Sequence, residues 1–295
     1  MDWIKKIKTF FKTNDALTGL IAINVVMFVL YYAVHLIFWL FDALCHFPLD
    51  HWLAVPADTD TLLSRPWTLM TYMFFHQGIF HILFNMLWLY WFGKIFRMYF
   101  SGWQLVNVYI LGGWTGALLY VLSYNVFPAF SVVKHDALLL GASAGVIAVV
   151  LAISCYVPKY TINLLFLGRI KLMTIALVTI GISIISISSS NNPGGNIAHL
   201  GGALLGYLFA INIHKGRDIT AWFGRFCAWA GSFFRPKPKP KLKVAYKRPP
   251  ADDREYNRQK VENQHEIDRI LDKISIGGYD SLTRQEKETL FQQKR

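Results

Sequence analysis

The sequence predicts an all-α membrane protein: six helices that cross a bilayer, followed by a small cytoplasmic helical hairpin. Of 295 residues, 54% are hydrophobic and only 16% charged, against roughly 25% charged in soluble domains. Apolar windows near residues 16–44, 78–100, 104–126, 139–157, 167–188 and 195–213 each approach the ~20 residues a spanning helix needs. Basic residues sort onto alternate connections: Lys5, Lys6, Lys8 and Lys12, then Lys94 and Arg97, then Lys159, Arg169 and Lys171, then Lys215 and Arg217. That bias puts both termini in the cytoplasm.

The elements follow in order. Residues 1–15 form a basic cytoplasmic N-terminus. The apolar run from Ala16 to about Leu44 lacks an A-x-A site and exceeds a signal-peptide core, so it reads as an uncleaved first span. The loop over 46–76 carries Trp52, Pro56, Pro66 and Trp67, a composition suited to the outer bilayer interface. The six-span core closes at residue 213, and residues 214–234 interleave arginines with Trp222, Phe223, Phe226, Trp229 and Phe233, as an interfacial amphipathic helix would.

Residues 235–250 form a stiff basic, Pro-rich linker, suited to contact with anionic headgroups; nucleic acid is not expected as a partner. From 251 to 295, Ile267, Ile270, Leu271 and Ile274 repeat at helical spacing. Gly277-Gly278 then ends that helix, and Thr283 with Glu286 resembles a capping box that opens another. The three cysteines, Cys45, Cys155 and Cys227, are widely spaced and read as packing residues.

Spans two, four and six all run from outside to inside, so their N-terminal ends share a depth. Polar residues gather there: His76, His81 and Asn85 in FFHQGIFHILFN, Ser143 in GASAG, and His199 in NIAHLGG. Ionisable groups in a membrane normally face a bundle interior or a hydrated cavity, and mark function. Gly141 and Gly145 on span four, with Ala198, Gly202 and Gly206 on span six, form small-residue ridges that let two helices approach closely. A serine and a histidine can then meet as nucleophile and general base.

No Asp or Glu lies between Ser143 and His199, so the expected unit is a dyad rather than a triad. His81 and Asn85, four residues apart on one helical face, can supply oxyanion donors together with the Ser143 N–H. His76, at the loop-to-helix junction, is expected to brace the loop. GASAG also fits the nucleophile elbow of soluble hydrolases, but that motif needs a preceding strand and a later acid. A metal site is disfavoured, because no HExxH occurs and the core lacks glutamate. Asp42 and Asp136 sit at span ends, too far out to form a buried aspartyl pair.

HQGIFHILFN, GASAG and AHLGG, in that order on alternate spans, resemble the rhomboid family of intramembrane serine proteases, over roughly residues 15–213. The likeness is to a bacterial-type member: a rhomboid-like six-span core with a C-terminal cytoplasmic extension, in the inner membrane. It implies Ser143 as nucleophile, His199 as base, His81 and Asn85 as oxyanion donors, no cofactor or metal, and substrates that are transmembrane helices of other membrane proteins. His76, Trp67, Gly141, Gly145, Gly202 and Gly206 are expected as structural support.

Two positions depart from the family. Thr68 follows Trp67 where members usually carry arginine, with Arg65 before Pro66, so the loop is anchored differently. Ile147 stands four residues after the serine, where many members place an aromatic on the histidine; His199 is then less firmly held. The rival class is a rhomboid-like chaperone or scaffold that binds transmembrane partners without cutting them. Such proteins typically lose the serine or histidine that this chain keeps. A transporter would show inverted repeats and broken midplane helices, and neither is found.

Overall fold

The computed structural model describes residues 15–41, 48–164, 168–189, 192–233 and 253–292. The N-terminal lysines, Cys45 and the basic linker lie outside them. The helices, in chain order, are α1 (Ala16–Leu40), α2 (Leu49–Leu53), α3 (Thr59–Ser64), α4 (Thr68–Thr71), α5 (Ile79–Tyr99), α6 (Gly102–Val126), α7 (Ser143–Tyr156), α8 (Leu172–Ser189), α9 (Pro193–His214), α10 (Ala221–Ser232), α11 (Asp253–Gly277) and α12 (Arg284–Gln292). Two antiparallel strand pairs accompany them: β1 (Val55–Pro56) with β2 (Leu138–Leu139), and β3 (Thr161–Leu164) with β4 (Gly168–Lys171).

The chain is a helical integral membrane protein. Among the described residues, α1, α5, α6, α8 and α9 are long and apolar enough to cross a membrane. The fourth expected span differs. α7 has 14 residues, about 21 Å at 1.5 Å per residue and short of a ~30 Å hydrocarbon core. Its N-terminal side is spent on extended chain, since Leu138 and Leu139 pair with Pro56 and Val55, and Gly141 takes φ +122. The fifth span also starts later than the sequence suggests, at Leu172, because Thr161–Leu164 and Gly168–Lys171 pair as a hairpin that the apolar run conceals.

α7 is the centre of the bundle. Its residues from Ala144 to Ser154 are all buried, against α6 on one side and α9 on the other. α1 and α8 are peripheral and turn apolar surface outward, including Val29, Leu36, Leu177 and Ile185. The small residues Ala144, Gly145 and Ala148 let α6 and α9 close on α7, which places it inside the bundle where the equally apolar α1 stays outside.

Local chemistry sets the ends of the outer helices. Ser101 and Gln104 form a reciprocal capping box at the start of α6, at 3.2 Å and 2.9 Å. At α9, the Asn192 side chain accepts from the Gly195 N–H at 2.9 Å and Pro193 occupies the first turn. Arg97, in the last turn of α5, meets Asp15 at 3.2 Å and donates to the Phe100 carbonyl at 2.6 Å. α10 docks on α6 through Phe223, edge-on to Trp114 at 5.2 Å, and leaves Trp222, Phe226, Trp229 and Phe233 exposed.

The connection between α1 and α5 is packed. Asp58 caps α3 by accepting from the Thr61 N–H and hydroxyl at 3.0 and 2.8 Å, and faces Lys134 at 3.7 Å. These bonds, the Thr61 amide foremost, hold its carboxyl below the usual carboxylate range. Thr68, where the family usually has arginine, is buried and donates to the Arg65 carbonyl at 2.7 Å. Arg65 itself donates to the His51 carbonyl at 2.8 Å and stacks over Trp52 at 4.9 Å.

The chain divides into two compact units, 1–235 and 236–295. In the second, α11 ends at Gly278, which takes φ +75, a left-handed conformation that suits glycine. Of the apolar repeat, Ile270 is buried, Ile267 and Ile274 are half-buried, and Leu271 stays exposed. Thr283 and Glu286 form the capping box, and Lys273 clamps Glu286 at 3.0 Å. The Thr283 amide, with Lys273, lowers the Glu286 carboxyl from 4.5 to about 2.

A carboxylate depressed in the fold stabilises fully above its ordinary pKa, and that stabilisation is lost as pH falls through the folded value. Glu286→Gln should therefore lower the thermal midpoint of α12 at neutral pH, and the difference from wild type should vanish near pH 2. Backbone amide NMR on the labelled full chain measures it.

Candidate active site

Ser143 is the first residue of α7, delivered by the β2 segment. The Gly141 N–H bonds the Tyr72 carbonyl at 3.0 Å, and the Tyr72 hydroxyl donates to the Gly113 carbonyl at 2.6 Å, so the turn before the serine is tied to the first loop and to α6. Gly141 is required twice over: its φ is left-handed, and a Cβ there would sit 2.8 Å from the His81 ring. The sequence places it on a spanning helix as a ridge residue. It lies instead in the turn ahead of α7, where its missing side chain makes room for His81.

His199, two turns into α9, meets Ser143 across the helix seam: its Nε2 lies 2.8 Å from the Ser143 Oγ. Two glycines on α9 permit this. A Cβ on Gly202 would run into the Ala144 carbonyl, and one on Gly206 into the Ala148 carbonyl. Gly145 does not share that seam. A Cβ there would meet the Tyr109 carbonyl at 2.6 Å, so it lets α7 approach α6 rather than α9. On α6, Gly112 and Gly116 press against Ala148 and Ala144, and Thr115 donates to the Gly201 carbonyl at 3.0 Å. The close packing therefore joins three helices, where the sequence reading had two. The G-x-x-x-G of LGGWTG was the signal for the third.

Ser143 opens into a cavity of about 340 Å³ lined by Phe80, His81, Phe84, Asn85, Trp88, Val146, Ile147 and Thr179. His81 and Asn85 thus share one cavity with the serine. The Asn85 amide donates to the His81 carbonyl at 2.9 Å, which fixes its rotamer toward the cavity wall. His76 does not reach the cavity. It is buried behind His81, the two rings edge-on at 5.0 Å, and this packing is its main hold. Trp67 also stands apart, stacked on Trp52 at 5.9 Å and donating to the Trp52 carbonyl at 3.0 Å; it supports the loop, not the cavity.

One contact carries no signal in the sequence. Ser183, on α8 and 3% exposed, lies with its Oγ 3.1 Å from Nδ1 of His199. The imidazole is thus bonded at both nitrogens, by Ser143 on one side and Ser183 on the other. Ile147 lines the cavity as an apolar wall.

The arrangement supplies a hydroxyl beside an imidazole and two further polar side chains on one concave surface, the parts of a nucleophile, a base and an anion cradle. Its dependence on backbone approach is testable. Gly202→Val should cost about 1–3 kcal/mol or more through overpacking, read as a lower unfolding midpoint in detergent. Gly181→Ala on α8, where a Cβ meets nothing within 4 Å, should leave that midpoint unchanged.

Comparison with known proteins identifies the family. The rhomboid domain family matches residues 63–216, and a family of unknown function, DUF6576, matches residues 252–292. The chain is 32% identical over 162 residues to RHOMBOID-like protein 12, mitochondrial, of Arabidopsis thaliana, covering 52% of this chain and 48% of that protein. It is 28% identical over 167 residues to Rhomboid-like protein 16, chloroplastic, of the same plant, covering 53% and 52%. The chain spans about half the length of the curated relatives it matches. With its matched region enclosing Trp67, His81, Asn85, Ser143 and His199, the chain belongs to the rhomboid family.

Proposed function

We propose that this chain is an intramembrane serine endopeptidase that cuts transmembrane segments of other membrane proteins with a Ser143–His199 dyad. The observation that carries it is the 2.8 Å contact between Ser143 Oγ and His199 Nε2 at a cavity that His81 and Asn85 also line. A merely structural serine at a helix start would bond a nearby backbone group, not the imidazole of another helix.

In the reaction, Ser143 Oγ attacks the scissile carbonyl carbon while its proton passes to His199 Nε2. The carbonyl π pair moves onto oxygen, where the Asn85 amide, the His81 ring and the Ser143 N–H can stabilise it. Collapse breaks the C–N bond, and the amine leaves with the proton from Nε2. Water then attacks the acyl carbon as its proton passes to His199 Nε2, the adduct collapses with cleavage of the acyl carbon–Oγ bond, and Nε2 returns the proton to Ser143 Oγ as the carboxylic acid product leaves. A substrate helix must present an extended stretch to the cavity. Segments weakened by Gly, Pro or small polar residues are favoured, since unpaired backbone in hydrocarbon costs several kcal/mol per group.

The start of α7 at Ser143 supports this chemistry, because it puts the serine at a helix end beside the cavity rather than inside a helix. The relatives' names refer to mitochondrion and chloroplast and lend no support to a bacterial inner membrane, so the proposal is limited to an integral membrane site. Contact between the basic stretch 235–250 and anionic lipid belongs to the same proposal.

A fluorophosphonate probe on the purified chain in detergent tests the dyad. Wild type should label at Ser143, Ser143→Ala should not label, and His199→Ala should label at least about 100-fold more slowly. A folded wild type that stays unlabelled would favour a non-cutting, partner-binding role.

A further inference from the structure

We infer that Ser183 is the positioning residue of this site, holding the His199 ring with Nε2 toward Ser143 and offering its oxygen to the Nδ1–H of the tautomer that can accept the Ser143 proton. The role rests on the reading of Ser143 and His199 as nucleophile and base. For Nε2 to take a proton, the neutral ring must carry its hydrogen on Nδ1, and that hydrogen needs an acceptor. In serine hydrolases with a triad, a carboxylate receives it. Here no Asp or Glu occurs between Asp136 and Asp218, and the partner at Nδ1 is the Ser183 hydroxyl at 3.1 Å.

The neighbours of Ser183 show that this bond is not the default for a hydroxyl on α8. Thr179 and Ser189 turn back to carbonyls four residues earlier on their own helix, at 2.8 and 3.0 Å, the ordinary habit of helical Ser and Thr. Ser183 instead reaches across to α9. Among the described residues α8 fully buries only Leu172, Ala176 and Ser183, so Ser183 is its one fully buried polar side chain, while the half-buried Thr179 spends its hydroxyl on its own helix. Asn196, one turn before His199, points away, donating to the Ser186 and Asn192 carbonyls. The apolar Ile147 offers the ring no hydrogen bond, so Ser183 at Nδ1 is the ring's polar hold besides Ser143 itself.

A hydroxyl accepts from Nδ1–H or donates to a bare Nδ1, so Ser183 fixes the ring angle and accommodates the reactive tautomer, and it does not stabilise the imidazolium as a carboxylate does. Its loss should therefore cost about tenfold in rate, not the ~10⁴-fold of a lost triad acid geometry. As the proton reaches Nε2, the hydrogen on Nδ1 stays on nitrogen and donates to the Ser183 Oγ, and no second transfer occurs.

The experiment compares Ser183→Ala, Ser183→Val and Ser183→Thr in the full chain, where Val and Thr have nearly one shape and differ in the hydroxyl. Expected are about tenfold lower kcat on a transmembrane reporter for Ala and Val with KM unchanged, an equal slowing of fluorophosphonate labelling, and recovery with Thr. ¹⁵N NMR of labelled histidine should report Nδ1–H at His199 in wild type and a shift toward Nε2–H in the Ala variant. Wild-type rate in the Ala variant, or equal loss in Thr and Val, overturns the positioning role while leaving the dyad intact. An unreactive wild type overturns the dyad and this role with it; an Nε2–H tautomer in wild type overturns the positioning role directly.

Discussion

The structure depends on the approach of two helix backbones. Gly202 and Gly206 bring α9 so near α7 that a single methyl on either would strike a carbonyl of Ala144 or Ala148. Side-chain volume is therefore forbidden on the α9 side of the seam, and Gly202 of AHLGG with Gly206 is its consequence, while the glycines of GASAG clear His81 and α6. In a bilayer no hydrophobic force presses helices together, so close van der Waals contact and interhelical hydrogen bonds must do so. The Ser143–His199 bond is one of those contacts, and it sits at the end of the seam where the backbones are already fixed.

The same constraint explains why polar residues are affordable here. Asn85 and Ser183 are buried in an apolar bundle, and each is bonded, to a backbone carbonyl or across helices. Unbonded, such groups would each cost a few kcal/mol. The first loop contributes as well: β1 pairs with β2, and the Tyr72 carbonyl receives Gly141, so the turn that presents Ser143 is held from outside the bundle.

Much of this was legible in the sequence because it is written in composition and spacing. Span order, the meeting of Ser143 with His199, the shared face of His81 and Asn85, and the capping box of the tail all follow from helical periodicity and small-residue patterns. What was not legible depends on tertiary partners. Nothing in ISIISISSS separates Ser183 from its neighbours; only its place on the inward stripe does. The late start of α7 depends on a two-residue pairing with Val55 and Pro56, too short to leave a pattern. Gly145 reads as part of a ridge, and only the packed bundle shows that the ridge faces α6. Trp67 and His76 stand near the site in sequence, but their rings pack on Trp52 and His81 outside the cavity.

The most direct measurement is mass spectrometry of the products formed when the purified chain and a transmembrane reporter share one liposome membrane. The predicted result is cleavage within the reporter's span that disappears in both Ser143→Ala and His199→Ala. An uncut reporter beside a folded wild-type chain, or the same products from either alanine variant, would contradict the dyad.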